Sequence, residues 1–117
     1  MTQVISRENA EHYDWGDGCE GWRLAEEPKL SVILERVPPG GAEMKHYHDR
    51  ARQCFFVLSG RATMEIGDQC LQLQAQQACT ILPGIPHSIA NPTEEDLVFL
   101  VISAPTSQGD RVLMEPR

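Results

Sequence analysis

Three histidines and one glutamine have the residue types and the spacing of a metal site. His46 and His48 are two residues apart, and alternate residues of an extended chain point to the same face, so their imidazoles would project together. Gln53 begins the next apolar run, and His87 follows a turn rich in proline and glycine. Three nitrogens and one oxygen suit one divalent transition-metal ion (iron, manganese, nickel, zinc or copper), with open positions for water or substrate.

The segments that would position these residues have the pattern of β-strands. Glycines and prolines recur at short intervals, which leaves room for strands and little for helices. Alternating residues on either side of Gly67-Asp68 predict a hairpin formed by residues 62–66 and 70–74. About eight short strands without an amphipathic helix predict an all-β barrel or jelly roll. Four runs are apolar on both faces, as in a sheet covered on both sides: 31–37, 54–58, 78–82 and 97–102.

Length, composition and charge exclude several classes of function. With 117 residues and a net charge of −7, the chain is expected to form one domain and to repel nucleic-acid phosphates and anionic membranes. Its longest apolar run, residues 97–102, is far shorter than the roughly 20 residues that cross a bilayer. The polar first ten residues predict no cleaved secretory signal, unless the chain shown is already mature, and the four cysteines are widely spaced. We therefore expect a cytoplasmic protein with reduced thiols.

The site residues also resemble a known motif. Gly40, His46, His48, Gln53 and Gly60 occupy the positions of the first motif of the cupin superfamily, with glutamine in place of the usual glutamate. In that family the two histidines and the acidic residue bind a metal. The resemblance therefore implies that His46, His48 and Gln53 are metal ligands.

The second cupin motif follows at the expected distance. Gly84, His87 and Asn91 match it, whereas Gln76 replaces its leading glycine and Leu82 its first proline. The resemblance covers roughly residues 30 to 103 and implies an RmlC-like jelly-roll β-barrel with His87 as the third histidine ligand. We expect a single cupin domain over residues 30–117 and an N-terminal segment, residues 1–29, that packs on it.

The glutamine at position 53 bears on the reaction. A ligand glutamate brings a negative charge and can act as a base, whereas an amide brings only a dipole and accepts no proton at neutral pH. The metal would therefore polarise a substrate oxygen more strongly. We expect a small metal-binding cupin that acts as an enzyme. It would use the ion as a Lewis acid on a small oxygenated substrate, either anionic or sugar-like. No carboxylate stands out as a base, so the catalytic residues stay unassigned.

Three alternatives remain open at this stage. The spacing of the four ligands is similar to that of small pectin-degradation cupins, which linearise unsaturated uronates, although the strand before Ser103 lacks their acidic residue and Arg111 follows at a longer spacing. A cupin dioxygenase is the second alternative, with iron as its metal. The third is a non-catalytic sensor that binds a small ligand. Turnover would separate the two enzymes from the sensor.

Several other residues receive expectations from their position. Met44, Phe55 and Val57 share the phase of the ligands and should line the barrel interior, whereas His12 has no visible partner. Strands that are apolar on both faces need a cover, either the N-terminal segment or a second copy in a homodimer. Three arginines flank the site and are expected to be solvated, the alternative being a clamp for a substrate carboxylate: Arg50, Arg52 and Arg61.

Overall fold

The chain folds into β-strands joined by turns. The computed structural model describes residues 1–114, and within that range it contains no helix. The eleven strands in chain order are β1 (Glu11–Trp15), β2 (Cys19–Glu27), β3 (Leu30–Val37), β4 (His46–His48), β5 (Arg52–Ser59), β6 (Arg61–Ile66), β7 (Gln69–Gln74), β8 (Ala78–Ile81), β9 (His87–Ala90), β10 (Leu97–Ala104) and β11 (Arg111–Leu113).

Two antiparallel sheets form a jelly roll. Six strands pair in the order β1-β2-β3-β10-β5-β8 and five in the order β11-β4-β9-β6-β7. The predicted all-β fold is confirmed, and so is the hairpin, in which β6 and β7 pair in register across Gly67 and Asp68. At the β5–β6 turn, Gly60 has a φ of 86°, and a Cβ there would lie 2.6 Å from the Asp96 carbonyl oxygen. Only glycine fits this turn.

The strand count exceeds the expected eight partly because the N-terminal segment also forms strands. β1 and β2 make a hairpin, and β2 pairs with β3, so the segment extends the six-stranded sheet. Charged residues on both faces of this hairpin hide the alternation that would identify its strands in the sequence. The domain division between residues 29 and 30 stays a prediction.

Strand alternation places one hydrophobic core between the sheets. On β10, the inward-facing Leu97, Phe99 and Val101 are buried, whereas the residues between them are half-buried on the outer face. β5 follows the same rule, and its Phe55 and Val57 are buried as predicted. The outer face of the six-stranded sheet is therefore apolar but only partly covered. All four cysteines are free, and among the described residues no helix is long and apolar enough to cross a membrane.

Candidate metal centre

Three histidines converge inside the barrel. β4 carries His46 and His48 on its inward face, and the pairing of β4 with β9 sets His46 opposite His87. The ring centroids lie 5.0 Å apart for His46 and His48, 4.5 Å for His46 and His87, and 5.7 Å for His48 and His87. One potential ligand atom from each residue lies within 4.8 Å of the other two. This separation suits three ligands of one ion.

Each imidazole is oriented by a backbone carbonyl. The Nδ1 atoms of His46 and His87 lie 2.9 Å from the carbonyl oxygens of Met44 and Ile85, respectively, and Nδ1 of His48 lies 3.2 Å from that of Asp110. A carbonyl only accepts, so these contacts require Nδ1 to carry the proton. The lone pair is then on Nε2 in each ring, which is the arrangement that metal-binding histidines adopt.

Gln53 contributes an oxygen to the same cavity. Its Nε2 donates to Ser103 Oγ at 3.0 Å, which leaves Oε1 as the free acceptor of the amide. Gln53 Oε1 and His87 Nε2 are both buried and have no hydrogen-bond partner within residues 1–114. Buried acceptors are costly when unpaired, and a cation would satisfy both. The donor set therefore fits a divalent transition metal, while the ligand role of each residue stays a prediction.

Burial keeps the three imidazoles neutral. Desolvation lowers the pKa of His46 to about 3 and also holds the pKa values of His48 and His87 below the usual histidine value. The rings are thus unprotonated at neutral pH, with their lone pairs available. A metal would compete with few protons for this site.

His46, His48 and Gln53 open onto a cavity of about 280 Å³ whose wall mixes apolar and charged side chains. Sequence reasoning missed most of its charged wall, which comes from strands β1, β2, β3 and β11 and from the segment before β4. These side chains are Tyr13, Arg23, Glu35, Glu43 and Arg111. The sequence singled out no carboxylate as a base, whereas two glutamates, Glu35 and Glu43, line the cavity.

Tyr13 and Glu35 form a pair across a glycine. Tyr13, Gly21 and Glu35 are neighbours in register on β1, β2 and β3. A Cβ at Gly21 would lie 2.2 Å from the Tyr13 ring, so the ring crosses β2 only because that residue is glycine. The Tyr13 hydroxyl donates to Glu35 Oε2 at 2.8 Å, and the Arg23 guanidinium lies 4.7 Å from the ring centroid.

Glu43 points into the cavity from a segment that is not a strand. The regular strand begins only at His46, so the period of two cannot be extended back to residue 43 or 44. Met44 accordingly turns outward and is 58% exposed, which contradicts its predicted place in the interior. Glu43 Oε1 is buried, and no residue of the described part of the chain forms a hydrogen bond with it.

Asp110 forms hydrogen bonds with the histidine strand β4 and with the loop that follows it. Its carboxylate accepts hydrogen bonds from the backbone N–H groups of Asp49, Arg50 and Ala51 at 2.9–3.1 Å, and its carbonyl oxygen contacts His48. Although burial raises the pKa of Asp110, these donors bring it below its usual value. No sequence signal marks this residue, because its partners lie about sixty positions away.

Three smaller expectations are resolved by the structure. The arginines predicted to be solvated, Arg50, Arg52 and Arg61, are exposed, and the cavity takes its arginines from Arg23 and Arg111 instead. His12 lies outside the site as expected, yet it has a partner, since its Nε2 lies 2.9 Å from Glu20 Oε2. The remaining motif residue, Asn91, is structural.

Asn91 closes the turn that follows β9. Its Nδ2 donates to the carbonyl oxygens of Val37 and Glu95, and its Oδ1 accepts from Thr93. These bonds join the turn to the end of β3, so the buried side chain stabilises the loop, in agreement with the role predicted from the sequence.

Solved structures of other proteins share this fold. KdgF from Halomonas sp. superposes with a TM-score of 0.83 at 18% identity, over 92% of this chain and 98% of that chain. An RmlC-like cupin from Shewanella frigidimarina gives a TM-score of 0.82 at 18% identity, over 93% and 96% of the two chains. At such identities these matches establish the fold alone.

Sequence comparison adds a relative and a family. The H2HPP isomerase of Bacillus subtilis is 27% identical over 90 residues, which are 76% of this chain and 37% of the isomerase. This chain thus spans little more than a third of the length of that relative. The profile of the Cupin domain family matches residues 33–103, and the chain belongs to that family.

Proposed function

We propose that this protein is a metal-dependent enzyme that acts on a small, oxygen-rich, anionic substrate, with isomerisation as its reaction class. One divalent transition-metal ion would be held by four side chains: His46, His48, Gln53 and His87. When bound, the ion would supply a Lewis acid beside the cavity. The observation that carries the proposal is the pair of buried, unpartnered acceptors, Gln53 Oε1 and His87 Nε2, within one constellation.

The charge of the cavity wall supports an anionic substrate. Arg23 forms ion pairs with Glu11 and Glu26 at 3.2 and 3.4 Å. Arg111 also lines the cavity, and within residues 1–114 it has no carboxylate oxygen within 4.0 Å. A guanidinium in this position binds a carboxylate through two parallel hydrogen bonds. Arg111 would therefore orient a substrate carboxylate.

The reaction class rests on the donor set and on one relative. Because Gln53 accepts no proton at neutral pH, it leaves proton transfer to other residues of the cavity. The H2HPP isomerase of Bacillus subtilis is named as an isomerase, and it shares the matched cupin region. Opening of an unsaturated uronate is the second candidate, favoured by the ligand spacing, which is similar to that of the small pectin-degradation cupins, and by Arg111 in the cavity wall.

Metal analysis tests the proposal. Untagged protein purified without chelator should contain about one transition-metal ion per chain, and His87→Ala should lose it because three ligands remain at most. Gln69→Ala, at an exposed position at the start of β7, is the control and should leave the metal content unchanged. Gln53→Ala should lower metal affinity at least 10-fold, whereas Gln72→Ala, on an exposed position of β7, should not.

Two results would overturn the proposal. One is a parent protein that refuses added metal; the other is a His87→Ala variant that binds metal as tightly as the parent. With metal established, turnover of keto acids and uronates separates the enzyme from a sensor, which would gain thermal stability with ligand yet release no product. Bound iron together with oxygen uptake would identify the dioxygenase instead.

Two further predictions concern the whole protein. The outer face of the six-stranded sheet carries half-buried apolar residues, so a second copy of the chain is the expected cover in a homodimer. Cytoplasmic location stays a prediction from composition. Neither affects the metal test, which uses single-chain stoichiometry.

A further inference from the structure

We propose that Glu35 and Glu43 form the acid–base pair of this cavity, with Tyr13 as the residue that positions Glu35. The inference rests on the proposed function, because an acid–base pair acts only on a substrate bound beside it. It assigns roles to two carboxyl groups that the metal constellation does not use.

Glu43 is placed as the acid. It reaches the cavity from the segment just before β4, and its Oε1 is buried without a hydrogen-bond partner among the described residues. No arginine or lysine of residues 1–114 lies within 4.0 Å of its carboxyl oxygens. A carboxyl group in such surroundings is more stable in its neutral form and can then donate its proton.

Glu35 is placed as the base. The hydroxyl of Tyr13 donates to its Oε2 at 2.8 Å, and the ring that carries this hydroxyl is held over Gly21 and against Arg23. A hydrogen bond from a neutral donor stabilises the carboxylate. Its other oxygen, Oε1, is not engaged by Tyr13 and is the atom that can accept a proton from a substrate.

The pKa shifts of Glu35 and Glu43 agree with this assignment of base and acid. Burial raises the pKa of Glu35 to about 7, against the opposing effects of Tyr13 and the two arginines. Burial also raises the pKa of Glu43, and the charge of Glu35 raises it further, well above its usual value. Two carboxyl groups with different pKa values divide into acid and base. The titratable and charged groups that face the pair are Tyr13, Cys19, Arg23 and Arg111.

The pair moves one hydrogen without any change in oxidation state. The Glu35 carboxylate takes a proton from a substrate carbon: the C–H bond breaks, an O–H bond forms on Glu35, and the electron pair enters the adjacent π system of the substrate. At the far end of that system, Glu43 gives up its proton and a new C–H bond forms. Transfer of one proton from Glu35 to Glu43 then restores both groups, so the substrate leaves as its isomer.

Infrared spectroscopy of the metal-free protein tests the pair without a substrate. At pH 7 the spectrum should contain the carbonyl stretch of protonated carboxyl groups, and the component that belongs to Glu43 should disappear in Glu43→Gln but remain in Glu35→Gln. The matched control, Glu94→Gln, changes an exposed carboxyl and should leave the band in place. A carbonyl stretch that is unchanged in Glu43→Gln, or a parent spectrum without any such band, would overturn the assignment of the acid.

The coupling between the two groups gives the second readout. In Glu35→Gln the charge that raises the pKa of Glu43 is removed, so the midpoint of its band should fall by about one pH unit. In Tyr13→Phe a second band, assigned to Glu35 by its loss in Glu35→Gln, should titrate at higher pH because the hydrogen bond to the carboxylate is gone. Unchanged midpoints would show two independent groups and overturn the pair. Metal content, measured separately, reports on the proposed function alone.

Discussion

The two ends of the barrel interior differ although the same strands build both. On β5 the inward-facing residues run from Gln53 through Phe55 to Val57, and on β10 they run from Ser103 to Phe99. Each strand thus changes from polar to apolar within a few residues while the alternation continues. We call the apolar end the closed end; it consists of Val37, Val57, Ala62, Met64, Leu97 and Phe99, all 0% exposed.

The two ends differ in whether their buried side chains satisfy one another. Side chains of the closed end contact one another and have no polar atoms to satisfy. Among the described residues, the buried side-chain polar atoms without a partner belong to Ser31, Glu43, Gln53 and His87, none of them at the closed end. Packing at one end therefore offsets unpaired polar groups at the other, where a ligand is expected to pair with them.

A large-to-small substitution at the closed end should cause the largest loss of stability. Phe99→Ala removes a fully buried ring that stacks on Phe55 with centroids 5.8 Å apart, and we expect the free energy of unfolding to fall by about 3–5 kcal/mol. Urea denaturation of the metal-free protein measures it. Phe56→Ala, on the half-buried outer face of the same sheet, is the matched control and should cost clearly less. Equal losses at the two positions would remove the distinction between the core and the outer face.

At the cavity end, the stability of the fold should depend on a buried charge instead. Asp110→Asn replaces the carboxylate that accepts three backbone N–H groups, and one of these would then face an amide donor. Hydrogen bonds to charged groups support an expected loss of about 2 kcal/mol at pH 7, measured by urea denaturation. Asp68→Asn, exposed in the β6–β7 loop, should leave stability within about 0.5 kcal/mol of the parent.

The pH dependence sharpens the contrast between the ends. Because the pKa of Asp110 is lower in the folded chain than in the unfolded one, its contribution is complete above the unfolded pKa and is lost as the pH falls through the folded pKa. The stability difference between parent and Asp110→Asn should therefore shrink below about pH 4. The difference between parent and Phe99→Ala should not change with pH. An Asp110→Asn loss that stays constant down to pH 2 would contradict the charged role.

The part of the site that sequence predicts is the part that lies on regular strands. The His46 and His48 spacing has meaning because β4 is extended, and the inward positions of Phe55 and Val57 follow from the same rule on β5. His87 required the second motif of the family, since no local pattern relates it to a strand forty residues earlier. The register of β4 with β9 supplies that relation in the structure.

The charged side chains of the cavity wall could not be predicted from the sequence, for physical reasons. Glu43 lies outside a strand, where the direction of a side chain depends on turn geometry and not on period. Tyr13 reaches Glu35 only through the absence of a side chain at Gly21, a three-strand relation that needs the register. Arg111 enters through the pairing of β11 with β4. Each of these contacts is made between distant segments.

Met44 provides the smallest expected effect and the most direct test of where the strand begins. If residue 44 belonged to β4, its side chain would lie in the interior, and Met44→Gln would bury an amide at a cost of several kcal/mol. With the side chain 58% exposed, we expect a change within about 0.5 kcal/mol in urea denaturation. Met64→Gln, the same change at a 0% exposed position of the closed end, should be severely destabilising. Comparable losses for the two methionines would return residue 44 to the interior and withdraw Glu43 from the cavity, because neighbours in a strand face opposite ways.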